Sequence, residues 1–184
     1  MITVTAETFR LSQAFTISRG SKTEARVLTV RVTREGATGW GECVPYARYG
    51  ESPDSVTGQI TGLPDDVTRD ALQKLLPAGA ARNVVDCALW DWQAKRSGQR
   101  IWDLIGLPAP VPLITAYTLS LDTPDRMRAA AARAARRPIL KIKLGGGPED
   151  ADRLAAVRRN APKADIIADA NEGWKPGELS DRLK

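Results

Sequence analysis

The chain has 184 residues, 42% apolar and 27% charged, with a formal net charge of +5. That apolar fraction supports a packed core and excludes wholesale disorder or a collagen-like fibre. Histidine is absent, which excludes Ser-His-Asp and Cys-His nucleophilic sites, His-ligated zinc and a His base, so acid/base work falls to Lys, Asp, Glu, Tyr or Cys.

Residues 1–44 read as strands. Ile2, Val4 and Ala6 alternate with polar residues, and the alternation returns over 27–32. Arg34-Glu-Gly-Ala37 is a turn leading into Thr38-Gly-Trp-Gly-Glu-Cys43, which predicts an antiparallel meander with a long connection at 15–25. Residues 45–64, rich in Pro, Gly and Ser, read as loop with a short helix at 54–60. A short helix at 68–76 precedes a long one at 79–97, where Val84, Val85, Ala88, Leu89 and Trp92 fall at helical spacing and Gly98 supplies the stop. Residues 101–107 form a short apolar turn. No apolar run approaches the roughly 20 residues of a membrane span, and the first residues lack the basic-then-apolar order of a secretory signal. The expected compartment is the cytoplasm, without membrane association. Cys43 and Cys87 fit no CxxC pattern and read as reduced, half-buried thiols.

From Pro112 the rhythm becomes strand–helix: strand 113–119, a helix from Asp122 or Thr123 to about Arg137, strand 139–144, a helix to about Asn160, strand 164–169, and a third helix from Pro176. Such alternation predicts parallel strands with crossover helices. The arginines between Arg126 and Arg137 sit in an alanine-rich helix without interleaved aromatics, a solvated face rather than a nucleic-acid footprint. Gly145-Gly-Gly147 lacks the P-loop spacing and reads as a strand-to-helix turn. At roughly 25 residues per unit, residues 112–184 hold three β/α units, whereas a closed barrel takes about 250 residues. The expectation is the front part of a larger enclosure.

Two constellations carry chemistry. Lys141-Ile-Lys143 closes a strand, and the period of two puts both ammonium groups on one face. Repulsion and desolvation can leave one such lysine neutral, hence a base; two exposed edge lysines are the plain alternative. Asp169-Ala-Asn171 follows the next strand, and its two oxygen-bearing side chains suit a hard cation such as Mg²⁺. Ordinary strand-end turn chemistry is the alternative there.

The segments Gly39-Trp-Gly-Glu-Cys43, Ala81–Asp91, Tyr117-Thr-Leu-Ser120, Leu140-Lys-Ile-Lys-Leu144 and Asp169-Ala-Asn-Glu-Gly-Trp174 together resemble the enolase superfamily, muconate-lactonizing subgroup, and within it the dipeptide epimerases. The resemblance implies an α/β protein: an α+β capping domain, residues 1–111, followed by the first part of a TIM-like (β/α) barrel, residues 112–184. It implies proton abstraction α to a carboxylate, an enediolate and Mg²⁺. It assigns Lys143 as base, Lys141 as its partner, Asp169 as metal ligand, Asn171 as a support behind the metal, and Thr118 as a pocket residue. In the capping domain, Arg19 and Lys22 of the first loop are expected to meet a distal carboxylate, and Arg48 and Tyr49 to form a second lid element. The expected substrate is an acidic dipeptide or another small carboxylate. The opposing base and the remaining metal ligands of the family have no match in the sequence, so the chain alone is expected not to turn over substrate. Bare strand edges lead us to expect a homo-oligomer or a complementary polypeptide. A muconate cycloisomerase, an o-succinylbenzoate synthase or a non-catalytic binding protein are the alternatives.

Overall fold

The computed structural model describes residues 1–182. They form two compact units: Met1–Arg10 with Glu24–Val111, and Leu11–Thr23 with the chain from Pro112 onward.

The first unit holds strands β1 (Ile2–Ile17), β2 (Gly20–Arg34) and β3 (Ala37–Cys43), adjacent in that order. β1 and β2 run on into the second unit, so residues 15–25, expected as a long connection, are the tip of a two-stranded arm closed at Ser18 and Arg19. Polar residues gave no alternation there, and the extended form comes from the arms lying side by side. β2 and β3 pair antiparallel, with Glu35 and Gly36 at φ 48° and 75° making the two-residue turn. Leu28, Val30 and Val32 alternate inward and are fully buried. Against them pack α1 (Pro53–Thr61), α2 (Arg69–Leu75) and above all α3 (Ala80–Ser97), through Val84, Val85, Ala88 and Leu89. Each fully buried aliphatic side chain of this kind contributes about 1.5–3 kcal/mol. Ser52 and Thr68 cap α1 and α2 by accepting backbone N–H groups, and Gly98 ends α3 in the left-handed region. Cys43 is buried in this core, but Cys87 is exposed on α3, unlike the half-buried pair expected. The short helix α4 (Ile101–Leu104) follows.

The second unit is a parallel sheet in the order β4 (Tyr117–Leu119), β5 (Ile139–Lys143), β6 (Asp165–Asp169), with helices α5 (Pro124–Arg133) and α6 (Asp150–Asn160). β4 is shorter than the predicted 113–119; Pro108, Pro110 and Pro112 interrupt the approach, and the outer edge offers residues 113–116 no partner strand among the described residues. Thr123 caps α5 with Pro124 at its first position, and the helix yields to turns after Arg133, short of the predicted Arg137. The third predicted helix is a 3-10 turn, Pro176–Glu178, followed by α7 (Leu179–Arg182). One face of the sheet, Leu119, Leu140, Ile142 and Leu144, is buried with Met127, Ala131 and Val157 of the helices. Among the described residues no helix is long and apolar enough to cross a membrane.

Candidate active site

With Leu140 and Ile142 committed to the helix side, strand alternation sends Lys141 and Lys143 to the opposite face of β5. The register pairs Lys143 with Asp169 and Thr118 with Lys141, so these four residues share that face. Lys143 Nζ donates to Asp169 Oδ2 at 2.7 Å, and Lys141 Nζ lies 2.9 Å from the same oxygen. Asp169 Oδ1 accepts the Asn171 N–H at 2.9 Å. Lys143 is only 7% exposed, and its ammonium lies 5.8 Å from the ring centre of Phe15. The Lys143 hydrogen bond holds the Asp169 carboxyl well below the usual carboxylate range; partial burial opposes this, and Lys141 and the Asn171 N–H reinforce it.

Asn171 and Glu172, at φ 48° and 64°, form the turn after β6. The Asn171 carbonyl accepts Ser18 Oγ at 2.9 Å and Arg19 Nη1 at 2.7 Å, and Arg19 also lies 3.6 Å from the Glu172 carboxylate. The tip of the β1–β2 arm is thereby fastened to the strand end that carries Asp169. An open hollow of about 440 Å³ adjoins it, lined by Lys141, Asp169, Asn171, Glu172 and Trp174 among others.

The structure thus brings together Lys141, Lys143, Asp169 and Asn171, with Arg19 at the next turn. Thr118 is half-buried on the same sheet face. Lys22 is exposed on the β2 side of the tip. Tyr49 belongs to the first unit, 76% exposed with its ring 5.6 Å from that of Tyr46. Sequence reasoning missed Ser18, the Phe15 ring, and Asp150 with Arg153. The signal for Asp150 was present in the acidic residues that follow the glycine run at a helix start.

As a seat for Mg²⁺ these residues fit in part. Asp169 offers hard carboxylate oxygens of the kind Mg²⁺ takes, and the Asn171 side-chain oxygen is buried without a hydrogen-bond partner among the described residues. No three His, Cys, Asp or Glu side chains gather around one metal position among the described residues.

Residues 1–106 match the family described as mandelate racemase / muconate lactonizing enzyme, N-terminal domain. The chain is 46% identical over 189 aligned residues to the L-Ala-D/L-Glu epimerase of Escherichia coli, covering all of this chain and 59% of that enzyme. Among solved structures, an enolase family member from Agrobacterium tumefaciens with homology to dipeptide epimerases, with sodium and L-Ala-L-Glu bound and an ordered loop, is 50% identical with a TM-score of 0.93; the match covers 99% of this chain and 57% of that one. A dipeptide epimerase from Cytophaga hutchinsonii complexed with Mg and D-Ala-L-Val is 28% identical with a TM-score of 0.82, over 95% of this chain and 52% of that one. The chain spans somewhat more than half the length of these relatives.

Proposed function

Because the chain belongs to the mandelate racemase / muconate lactonizing enzyme family, we propose that it forms one face of the active site of a Mg²⁺-dependent dipeptide epimerase acting on an acidic dipeptide of the L-Ala-Glu kind. The observation that carries this reading is the convergence of Lys141 and Lys143 on one oxygen of Asp169.

Lys143, buried beside a second ammonium, is the residue to take the proton α to the carboxylate. Lys141, nearer the open hollow, offers its charge to the enediolate oxygens that form as the proton leaves. Arg19 faces the distal carboxylate of the substrate, with Lys22 beyond it on the arm, and Thr118 contributes to the floor; Tyr49 is kept as a candidate contact of the first unit. Asp169, backed by Asn171, would hold the divalent cation, which when bound neutralises the charge developing on the substrate carboxylate. Epimerisation needs a base on each side of the planar intermediate; the described residues supply one, and we assign the second to a part of the fold they do not include, in the same chain or in a complementary polypeptide. The apolar segment through Val111, Leu113 and Ile114, with Leu113 83% exposed, is consistent with association through this region, with such a polypeptide or a second copy. Light scattering should find an assembly larger than the monomer.

The test is proton NMR in D₂O with L-Ala-L-Glu and Mg²⁺, with the chain alone and with a polypeptide covering the rest of the Agrobacterium relative. The expected result is α-proton exchange in the mixture, abolished by Lys143→Ala. A mixed sample that assembles but leaves the α-proton in place counts against the reading.

A further inference from the structure

We infer that Asp150, which lies outside the lysine–aspartate cluster, is the positioning residue that sets the distance between Lys143 and Asp169 by tying the strand-end loops together. The inference rests on the reading of that cluster as an active site.

Asp150 opens α6 and is 4% exposed. Its Oδ1 accepts the Gly145 N–H and an Arg153 Nη1–H, both at 3.0 Å. Its Oδ2 accepts the Gly146 N–H at 2.8 Å and the Trp174 indole N–H at 3.2 Å. Gly145 and Gly146 lie in the loop that starts at Leu144 after β5, and Trp174 ends the turn after β6. Arg153 extends the network to the loop after β4, donating through Nε to the Asp122 carbonyl at 2.8 Å. One carboxylate and its arginine therefore hold all three loops at the end of the sheet where Lys143 and Asp169 sit.

The loops it joins are in close contact. Gly146, at φ 79°, lies where a Cβ would collide with the Gly173 carbonyl. The Leu144 N–H donates to the Asp169 carbonyl at 3.0 Å. A shift of either loop is therefore passed to the residue before it, Lys143 on one side and Asp169 on the other. With four donors on two oxygens, Asp150 has no lone pair left for a substrate or a proton, which marks it as a support rather than a catalytic residue. Asparagine at this position keeps the shape but turns one acceptor into a donor facing other donors, so at least one loop must let go. Misplacing reacting groups by about 1 Å through a change away from the chemistry can cost about 100-fold in rate.

The experiment uses ¹⁵N-labelled chain carrying Asp150→Asn or, as the milder change, Trp174→Phe. The Asn171 amide, bonded to Asp169, reports the cluster; the Gly146 amide reports the loop. Both variants should move both resonances, Asp150→Asn the further, while amides of β2 stay in place. In the complemented enzyme, Asp150→Asn should lower kcat for α-proton exchange about 10–100-fold and change KM less than about threefold. An unmoved Asn171 amide in a folded variant overturns the inference, and so does a raised KM with unchanged kcat. If Asp150→Asn does not fold, Trp174→Phe decides by the same amides. Absence of exchange in the wild-type mixture speaks against the epimerase reading alone, because the amide shifts still decide the role of Asp150.

Discussion

Asp169 Oδ2 receives two ammonium groups, and the two pairs differ in worth. Lys143 has a side chain 9% exposed, whereas that of Lys141 is 36% exposed. Removing one member of a buried pair costs about 3–5 kcal/mol because a charge is left without compensation, while a half-open pair contributes about 0–1 kcal/mol. Asp169→Asn leaves two neighbouring ammoniums without a counter-charge and should lower the unfolding free energy by about 3 kcal/mol; Lys141→Met should lower it by less than about 1 kcal/mol. Urea titrations followed by circular dichroism measure both, and equal losses would contradict the ranking. The cysteines give a second residue-level expectation. Burial, then the charge of Glu51, pushes the Cys43 thiol up to about 11, so it holds little thiolate at neutral pH. Cys87 is exposed. A chromogenic disulfide reagent should titrate one thiol promptly in the native protein and the second only in denaturant; two prompt equivalents would show the core to be open. The lysine pair and Asp169 were legible because strand alternation and equal strand positions are written in the sequence. For Asp150 the sequence shows only an acidic residue after a glycine run; its role depends on two backbone N–H groups, on Arg153 and on a tryptophan 24 positions away, which only the fold brings together.

The contact between α3 and β3 sets the tightest tolerance in the first unit. A methyl group on Gly39 would strike the Ala88 carbonyl and the Trp92 backbone, and one on Gly41 the Val84 carbonyl. Gly41→Ala should therefore cost at least about 1–3 kcal/mol through forced separation of helix and strand. Gly58 in α1 has nothing within 4 Å of the corresponding position, so Gly58→Ala should stabilise by about 0.5–1 kcal/mol. Thermal melts of the two variants should move in opposite directions, and a shared direction would remove steric closeness as the cause. The helical spacing of Val84, Val85, Ala88 and Leu89 made α3 readable in advance. The reason for glycine on either side of Trp40 was not readable, since it depends on which helix lies across the strand. The same holds for the arm at residues 15–25, whose polar sequence reveals its extended form only beside its partner strand.

For the molecule as a whole, acid should act first on the second unit. Asp150 is buried, which opposes its ionisation, but N–H donors from Gly145, Trp174, Gly146 and Arg153 outweigh that and hold its carboxyl below the usual range. Asp169 is held low as well. Both folded-state values lie below the unfolded value of about 3.9, so the stabilisation is fully present above about pH 4 and is lost as pH falls through the folded values. Amide signals of Gly146 and Asn171 should weaken before those of Val30 and Val84 during an acid titration, and the reverse order would place the sensitive groups elsewhere.

The fastening of Ser18 and Arg19 to Asn171 also bears on synthesis at the ribosome. The Ser18 hydroxyl and its acceptor are 153 residues apart. At about 5–20 residues per second, the arm tip emerges roughly 8–30 s before the carbonyl it binds has been made. Throughout that interval the arm can pair with itself, but its tip lacks the Asn171 carbonyl and Phe15 lacks the Lys143 ammonium beside it, so this short stretch near the start of the chain waits longest for its partners.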